Sequence, residues 1–258
     1  IMMTIRSKLI ALLLSVLVSA PISITANGAE SIAFPSQEWS FNGPFGTFDR
    51  GELQRGLQVY KEVCATCHSL NFISFRNLTD LGFNENEVKA IAAEFQVEDG
   101  PNNEGEMFER AAIPSDVWPT PYKNDNAARA SNNGALPPDL SLIVDARSGG
   151  ADYLFALLSG YHKVPAGKEI GEGMYYNAYY PGNQIAMPSP LVEDGVEYGD
   201  GTRATLVQQA RDVSAFLAWA TEPNMEQRKR MGVMVIIFLL VMTGLFYYSK
   251  KKIWSDVH

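Results

Sequence analysis

Apolar residues recur at Leu53, Leu57, Tyr60 and Val63, the three-to-four spacing that lines one helix face, and Asp49 stands where an N-cap belongs. This pattern predicts a helix over 52–63 that runs straight into Cys64. Residues 84–95 read as a second helix and 152–159 as a third. A fourth spans 204–220, with Leu206, Ala210, Val213, Leu217 and Ala220 aligned. Strand-like alternation is scarce and the intervening stretches are rich in Pro, Gly and Asn, so the expectation is mainly α with long ordered loops. Loops of that kind are uncommon unless something holds them, which points to a large group built into the core.

Two apolar runs fall outside this amphipathic pattern. Leu9 to Ala20 follows Arg6 and Lys8 and is followed by small residues as far as Ala26 and Ala29; it reads as a secretory signal peptide over residues 1–29. Met231 to Tyr248 carries no charge, and at about 1.5 Å per residue it is long enough to span a bilayer. Arg228, Lys229 and Arg230 precede that run, Lys250, Lys251 and Lys252 follow it, and Tyr247, Tyr248 and Trp254 are suited to the interface. Bases on both flanks leave the positive-inside rule silent, so orientation comes from the signal peptide. Residues 30–227 are then expected outside, 228–248 as a transmembrane anchor with a basic flank, and 249–258 as a cytoplasmic tail.

Charge sharpens this division. The chain has 21 Lys and Arg against 29 Asp and Glu; two bases fall in residues 1–29, and six bases with one acid in 228–258. Residues 30–227 therefore hold 13 bases and 28 acids, a net of −15. Such a domain argues against nucleic acid and for a cationic partner. One acidic group runs through Glu94, Glu98, Asp99, Glu104, Glu106 and Glu109, and another through Glu193, Asp194, Glu197 and Asp200; either can be a solvated face or a steering patch.

The chain's two cysteines sit in Cys64-Ala65-Thr66-Cys67-His68, the C-x-x-C-H signature of c-type haem attachment. Two thiols three positions apart can add to the two haem vinyl groups, and the adjacent imidazole then lies under the iron. A zinc site lacks its second ligand pair, a thioredoxin-like dithiol lacks its βαβ setting, and a plain disulfide leaves His68 without a role. A sixth iron ligand has several candidates: Met187, stiffened by Pro188 and Pro190, then Met174, Met107 and His162.

These residues resemble a known family. Cys64 to Leu70 with Phe75-Arg76, then Ala127 to Ser141 with its Asn-Gly-Ala-Leu-Pro-Pro-Asp-Leu string, Tyr175-Tyr176-Asn177, Ile185 to Pro188 and the single C-terminal anchor are similar to the cytochrome c1 family of bc1 complexes. The resemblance implies a class I cytochrome c-type haem domain with long loop insertions, one covalent haem c and Met187 as axial ligand beside His68. It further implies Arg147 against a haem propionate, with Asn132 and Tyr153 in segments lining the haem. The implied role is electron transfer without catalysis of its own, from the Rieske iron–sulfur protein to soluble or tethered cytochrome c. Cytochrome b would be the membrane partner, in a dimeric complex of the bacterial inner membrane. The helix ending at Val63, with Gly56 permitting close approach, is expected to pack on the helix over 204–220. A tethered oxidase haem subunit and a haem-based ligand sensor stand as rival readings.

Overall fold

The computed structural model describes residues 33–255. The expected signal peptide and the last three residues lie outside them. Six α-helices run through the described chain: α1 Arg50–Glu62, α2 Glu85–Ala93, α3 Asp125–Ser131, α4 Gly150–Ser159, α5 Leu206–Thr221 and α6 Met225–Ile253. The mainly α expectation holds.

Helix α1 begins where its sequence directs. The Asp49 carboxylate accepts from the Glu52 amide and so satisfies one of the open donors of the first turn. Its apolar face, Leu53, Leu57 and Tyr60, is buried against α5, which contributes Val213, Phe216 and Leu217 to the same core. Gly56 makes the crossing close, because a Cβ placed on it would lie 2.6 Å from the Phe216 Cβ. Beside this contact the buried Asp212 of α5 receives two hydrogen bonds from Arg55, at 3.0 and 3.1 Å, and one from Gln208 at 3.0 Å. An aromatic cluster continues the core, with Tyr60 edge-on to Trp118 at 5.3 Å and Phe75 tilted against Trp118 at 4.6 Å. Helix α4 packs on the same core, and its Asp152 holds the incoming chain by accepting from the Gln37 amide and the Trp39 indole.

Besides helix α3, which falls in a stretch expected to be loop, three features depart from the sequence expectation. Residues 96–111 form an antiparallel hairpin, β1 Gln96–Asp99 with β2 Phe108–Ala111. A second small sheet pairs β3 Tyr175–Tyr176 with β4 Gln184–Ile185. The apolar helix is longer than its apolar run, 29 residues from Met225 to Ile253, because hydropathy marks bilayer thickness whereas the basic flanks are equally able to stay helical. Lys250, Lys251 and Lys252 fall in its last turn, where they complement the helix dipole. None of the apolar stretch of α6 is buried by the rest of the chain, as a membrane anchor requires.

Candidate functional site

Helix α1 ends at Val63, and the chain tightens at once into a 3-10 turn over Cys64–Thr66. The Cys67 and His68 amides both donate to the Cys64 carbonyl, at 3.1 and 2.9 Å, so Cys64, Cys67 and His68 belong to one compact turn. Neither thiol is bridged. Burial, with Cys67 beside it, pushes the Cys64 thiol up to about 12. That is opposite to the lowered value of a reactive redox dithiol.

The imidazole of His68 is oriented by the segment 138–141. Its Nδ1 lies 2.8 Å from the Pro138 carbonyl oxygen. A carbonyl can only accept, so the proton sits on Nδ1 and the lone pair on Nε2 is free for a metal. Burial holds His68 below its ordinary value, against the opposing pull of the Pro138 bond and of Asp139, which favours the neutral, ligating form.

Asp139 fixes the carbonyl that fixes the histidine. Its carboxylate accepts from the Ser69 hydroxyl at 2.8 Å, the Asn71 amide at 2.9 Å and the Ser141 amide at 2.8 Å. The Leu140 amide donates to the Ser69 carbonyl at 2.9 Å, completing the seam between 68–71 and 138–141. Burial works against the charge, but the hydrogen bonds from Ser141, Asn71 and Ser69 prevail and hold the Asp139 carboxyl below the usual range.

Met187 follows directly from the second small sheet. Strand β4 buries Ile185, and two residues later Met187 packs partly buried against the main core, as Cys64 and Ala65 do. The Tyr161 hydroxyl donates to the Met187 carbonyl at 3.0 Å. Burial, then the neighbouring Tyr153, raises the Tyr161 hydroxyl well above its ordinary value, so it remains a donor. The other thioethers and the loop histidine are placed differently: Met107 is 55% exposed, His162 is exposed, and Met174 is not part of the main core.

The remaining sequence candidates are dispersed in role. Tyr153 is buried on α4; burial raises its hydroxyl while the Arg147 charge opposes, which sets Arg147 in its neighbourhood. Arg147 itself is exposed and its guanidinium donates to the Ala146 carbonyl at 3.0 Å. Asn132 closes the C-terminus of α3, where its amide donates to the Ala128 carbonyl at 2.7 Å and the Tyr122 hydroxyl at 3.0 Å. Sequence reasoning passed over the Pro138 carbonyl, Asp139 and Tyr161. The first two lie within the Ala127 to Ser141 motif that carried the resemblance, and Tyr161 adjoins the His162 weighed as a ligand.

The sequence profile described as the Cytochrome C1 family matches residues 39–257. The chain belongs to the cytochrome c1 family. It is 50% identical over 246 residues to a protein of Bradyrhizobium diazoefficiens named cytochrome b/c1, a match covering 87% of this chain but 36% of that longer relative. Identity to cytochrome c1 of Rhodospirillum rubrum is 42% over 262 residues, covering 93% and 96% of the two chains. The mitochondrial cytochrome c1 heme protein of Schizosaccharomyces pombe is 48% identical over 228 residues, covering 88% of this chain and 74% of the relative. In a cytochrome c1 the C-x-x-C-H motif is the attachment point of a single haem c, and the donor set here fits that group. It offers two unbridged thiols on one turn and an imidazole whose Nε2 is left open by the Pro138 bond.

Proposed function

We propose that the chain is the haem-carrying electron-transfer subunit of a bc1 complex, taking one electron from the Rieske iron–sulfur protein and passing it to cytochrome c. The observation that carries this reading is the His68 Nδ1 bond to the Pro138 carbonyl within a C-x-x-C-H turn, which leaves the other imidazole nitrogen open to the iron of a haem that Cys64 and Cys67 would hold. Cys64 and Cys67 would form the thioethers, and His68 and Met187 would be the axial ligands. A haem with His and Met ligands supplies a one-electron couple of raised potential, closed to oxygen.

The protein's own part is positional. Pro138 and Asp139 hold His68, Tyr161 and the β4 segment hold Met187, and Arg147 would balance a propionate in a fork of charge-assisted hydrogen bonds. Tyr153 and Asn132 would line the same pocket, Asn132 through the backbone it caps. No proton transfer or nucleophile is required, so the subunit by itself catalyses no bond change. Quinol oxidation would belong to the rest of the complex.

Topology follows from the same reading. Residues 1–29 would be a cleaved leader, 30–227 the periplasmic haem domain, 228–248 a transmembrane anchor against cytochrome b, and 249–258 a cytoplasmic tail, in a dimeric complex of the bacterial inner membrane. For the cationic carrier, the first acidic group presents more unpaired carboxylates than the second. Among the described residues Glu94 pairs with Lys61 and Asp99 with Arg110 in the first group, and Asp194 with Arg203 and Asp200 with Arg55 in the second; Glu98, Glu104, Glu106 and Glu109 on the β1–β2 hairpin are exposed with no ion pair, against Glu193 and Glu197 alone in the second group. Like charges also stand opposite one another at Glu98 and Glu109 of the ladder, an arrangement that costs hairpin stability and strengthens a local negative field.

The test is purification from native membranes in mild detergent, with mass spectrometry of co-purifying chains and reduced-minus-oxidised spectra. Cytochrome b, a Rieske protein and one ascorbate-reducible c-type haem are expected. Copper or haem-oxidase subunits in their place would overturn the bc1 reading and favour the oxidase one.

A further inference from the structure

The loop ahead of α1 is bound to the base of the membrane anchor. The Glu226 carboxylate in the first turn of α6 accepts from the Phe48 amide at 2.8 Å and from both terminal nitrogens of Arg50, at 3.0 and 2.9 Å. One turn further on, Lys229 Nζ donates to the Phe41 carbonyl at 2.6 Å and the Gly46 carbonyl at 3.1 Å. Phe41 and Phe48 root the loop in the core through a tilted ring contact at 5.0 Å and a stacked one between Phe41 and Trp39 at 5.4 Å. Its turn is tight: a Cβ on Gly46 would lie 2.1 Å from the Asn42 carbonyl oxygen.

The tip so fixed is Phe45, 79% exposed. It shares a cleft with Lys229, Arg230, Val233 and Met234. Val233 and Met234 lie two and three residues past Met231, where the uncharged run starts, or about 3–4.5 Å along the axis. Phe45 therefore stands level with the first turn of hydrocarbon-facing helix, the depth at which interfacial aromatics and amphipathic segments rest. Arg230 adjoins it, exposed and with no side-chain hydrogen bond or ion pair among the described residues.

We propose that this loop is a second membrane contact of the protein: Phe45 inserts at the headgroup–acyl boundary beside Val233 and Met234, and Arg230 receives the phosphate of an anionic phospholipid in the same leaflet. The occupant follows from continuity with the anchor and from charge, since an apolar wall bordered by an unpaired guanidinium fits a molecule with an acyl chain below and a phosphate above. The inference rests on α6 crossing the bilayer.

The test places a photoreactive benzoylphenylalanine at position 45 of the full chain. The assembled complex goes into nanodiscs of phosphatidylcholine with or without phosphatidylglycerol, and the adducts are identified by mass spectrometry. The expected product is a lipid adduct, and Arg230→Gln should lower its yield about fivefold in discs containing phosphatidylglycerol while leaving it unchanged in phosphatidylcholine alone. An adduct to another subunit, or no adduct, would overturn the membrane contact. Equal yields with and without Arg230 would overturn the lipid-phosphate assignment. The same probe at Ile237 reports on the anchor: adducts to lipid or to a membrane-spanning subunit there, with none to lipid at 45, reject this contact alone, whereas no adduct at either position rejects the membrane span beneath it. Unchanged haem spectra confirm folding of each variant.

Discussion

Gly56 of α1 and Asp212 of α5 meet so closely that a Cβ on Gly56 would lie 2.1 Å from the Asp212 carbonyl oxygen. Backbone cannot yield as a flexible side chain can, so Gly56→Ala must push the two helices apart. The expected cost is about 1–3 kcal/mol, the range for overpacking a filled interior. Because α1 delivers the Cys64–His68 turn, a lower melting temperature should come with a lower yield of haem-loaded protein. A melting curve indistinguishable from that of the parent chain would show that the crossing is not tight.

The hold on Met187 is tested by Tyr161→Phe, which removes the hydroxyl that donates to the Met187 carbonyl and keeps the ring. Covalent haem should be retained. The methionine loop should loosen, letting carbon monoxide bind the reduced protein and lowering the reduction potential. Met187→Leu should produce both changes in full. If Met187→Leu leaves the potential unchanged, the axial assignment fails, and if Tyr161→Phe alone is silent, the tyrosine serves packing only.

Acid should release the β1–β2 hairpin. Arg110 pairs with Asp99 and with Asp116, at 2.6 and 3.1 Å to the latter, tying the hairpin to the loop that follows. The Arg110 hydrogen bonds hold both carboxyls below their ordinary value, so their contribution is complete above about pH 4 and is lost as pH falls through the depressed folded values. Amide protection across Gln96–Ala111, with exchange corrected for its intrinsic pH dependence, should therefore fall as the pH drops below the ordinary carboxylate range. Asp116→Asn should show the quicker exchange already at neutral pH. Protection that does not change with pH, once exchange is corrected for its intrinsic pH dependence, would mean that the ladder alone holds the hairpin.

The field of that hairpin is tested by Glu98→Lys. The variant should weaken the ionic-strength dependence of cytochrome c reduction, because the substitution removes a steering charge. It should also stabilise the hairpin by replacing a like-charge cross-strand pair with Glu109 by an opposite one. Asp194→Lys, at a carboxylate already balanced by Arg203, is expected to change the salt dependence far less. Equal effects at both positions would leave the domain's total charge, not the hairpin, as the steering element.

What could be read from the sequence was what repeats locally or is spelled in a short motif. Asp49 with the spacing of Leu53, Leu57 and Tyr60 marked α1 to within two residues, and the uncharged run located α6. The haem turn was legible because C-x-x-C-H is contiguous. Helix α3 escaped notice because it buries only Ala128 and starts on the Asn124 cap without an apolar face. The β1–β2 hairpin escaped because it is charged and largely exposed on both sides, so no alternation announces it. Asp212 looked like an ordinary helix acid; its burial depends on Arg55, which lies 157 positions away and comes into contact only when α1 crosses α5. The Pro138 contact is long-range in the same way, since no local pattern says which carbonyl an imidazole will find.

The junction between α5 and α6 carries a last consequence. Three residues, Glu222 to Asn224, separate the two helices, and the junction is braced by Glu222 with Arg228 and by Glu226 with Arg50. A carrier on a slack tether can swing its redox group between donor and acceptor. Here the pedestal is short and cross-tied, so with α6 in a bilayer the Cys64–His68 turn would keep a constant height and heading above its plane. Under the proposed function, the travelling in an electron-transfer cycle would then fall to the molecules that visit it, and this subunit would be the stationary landing point.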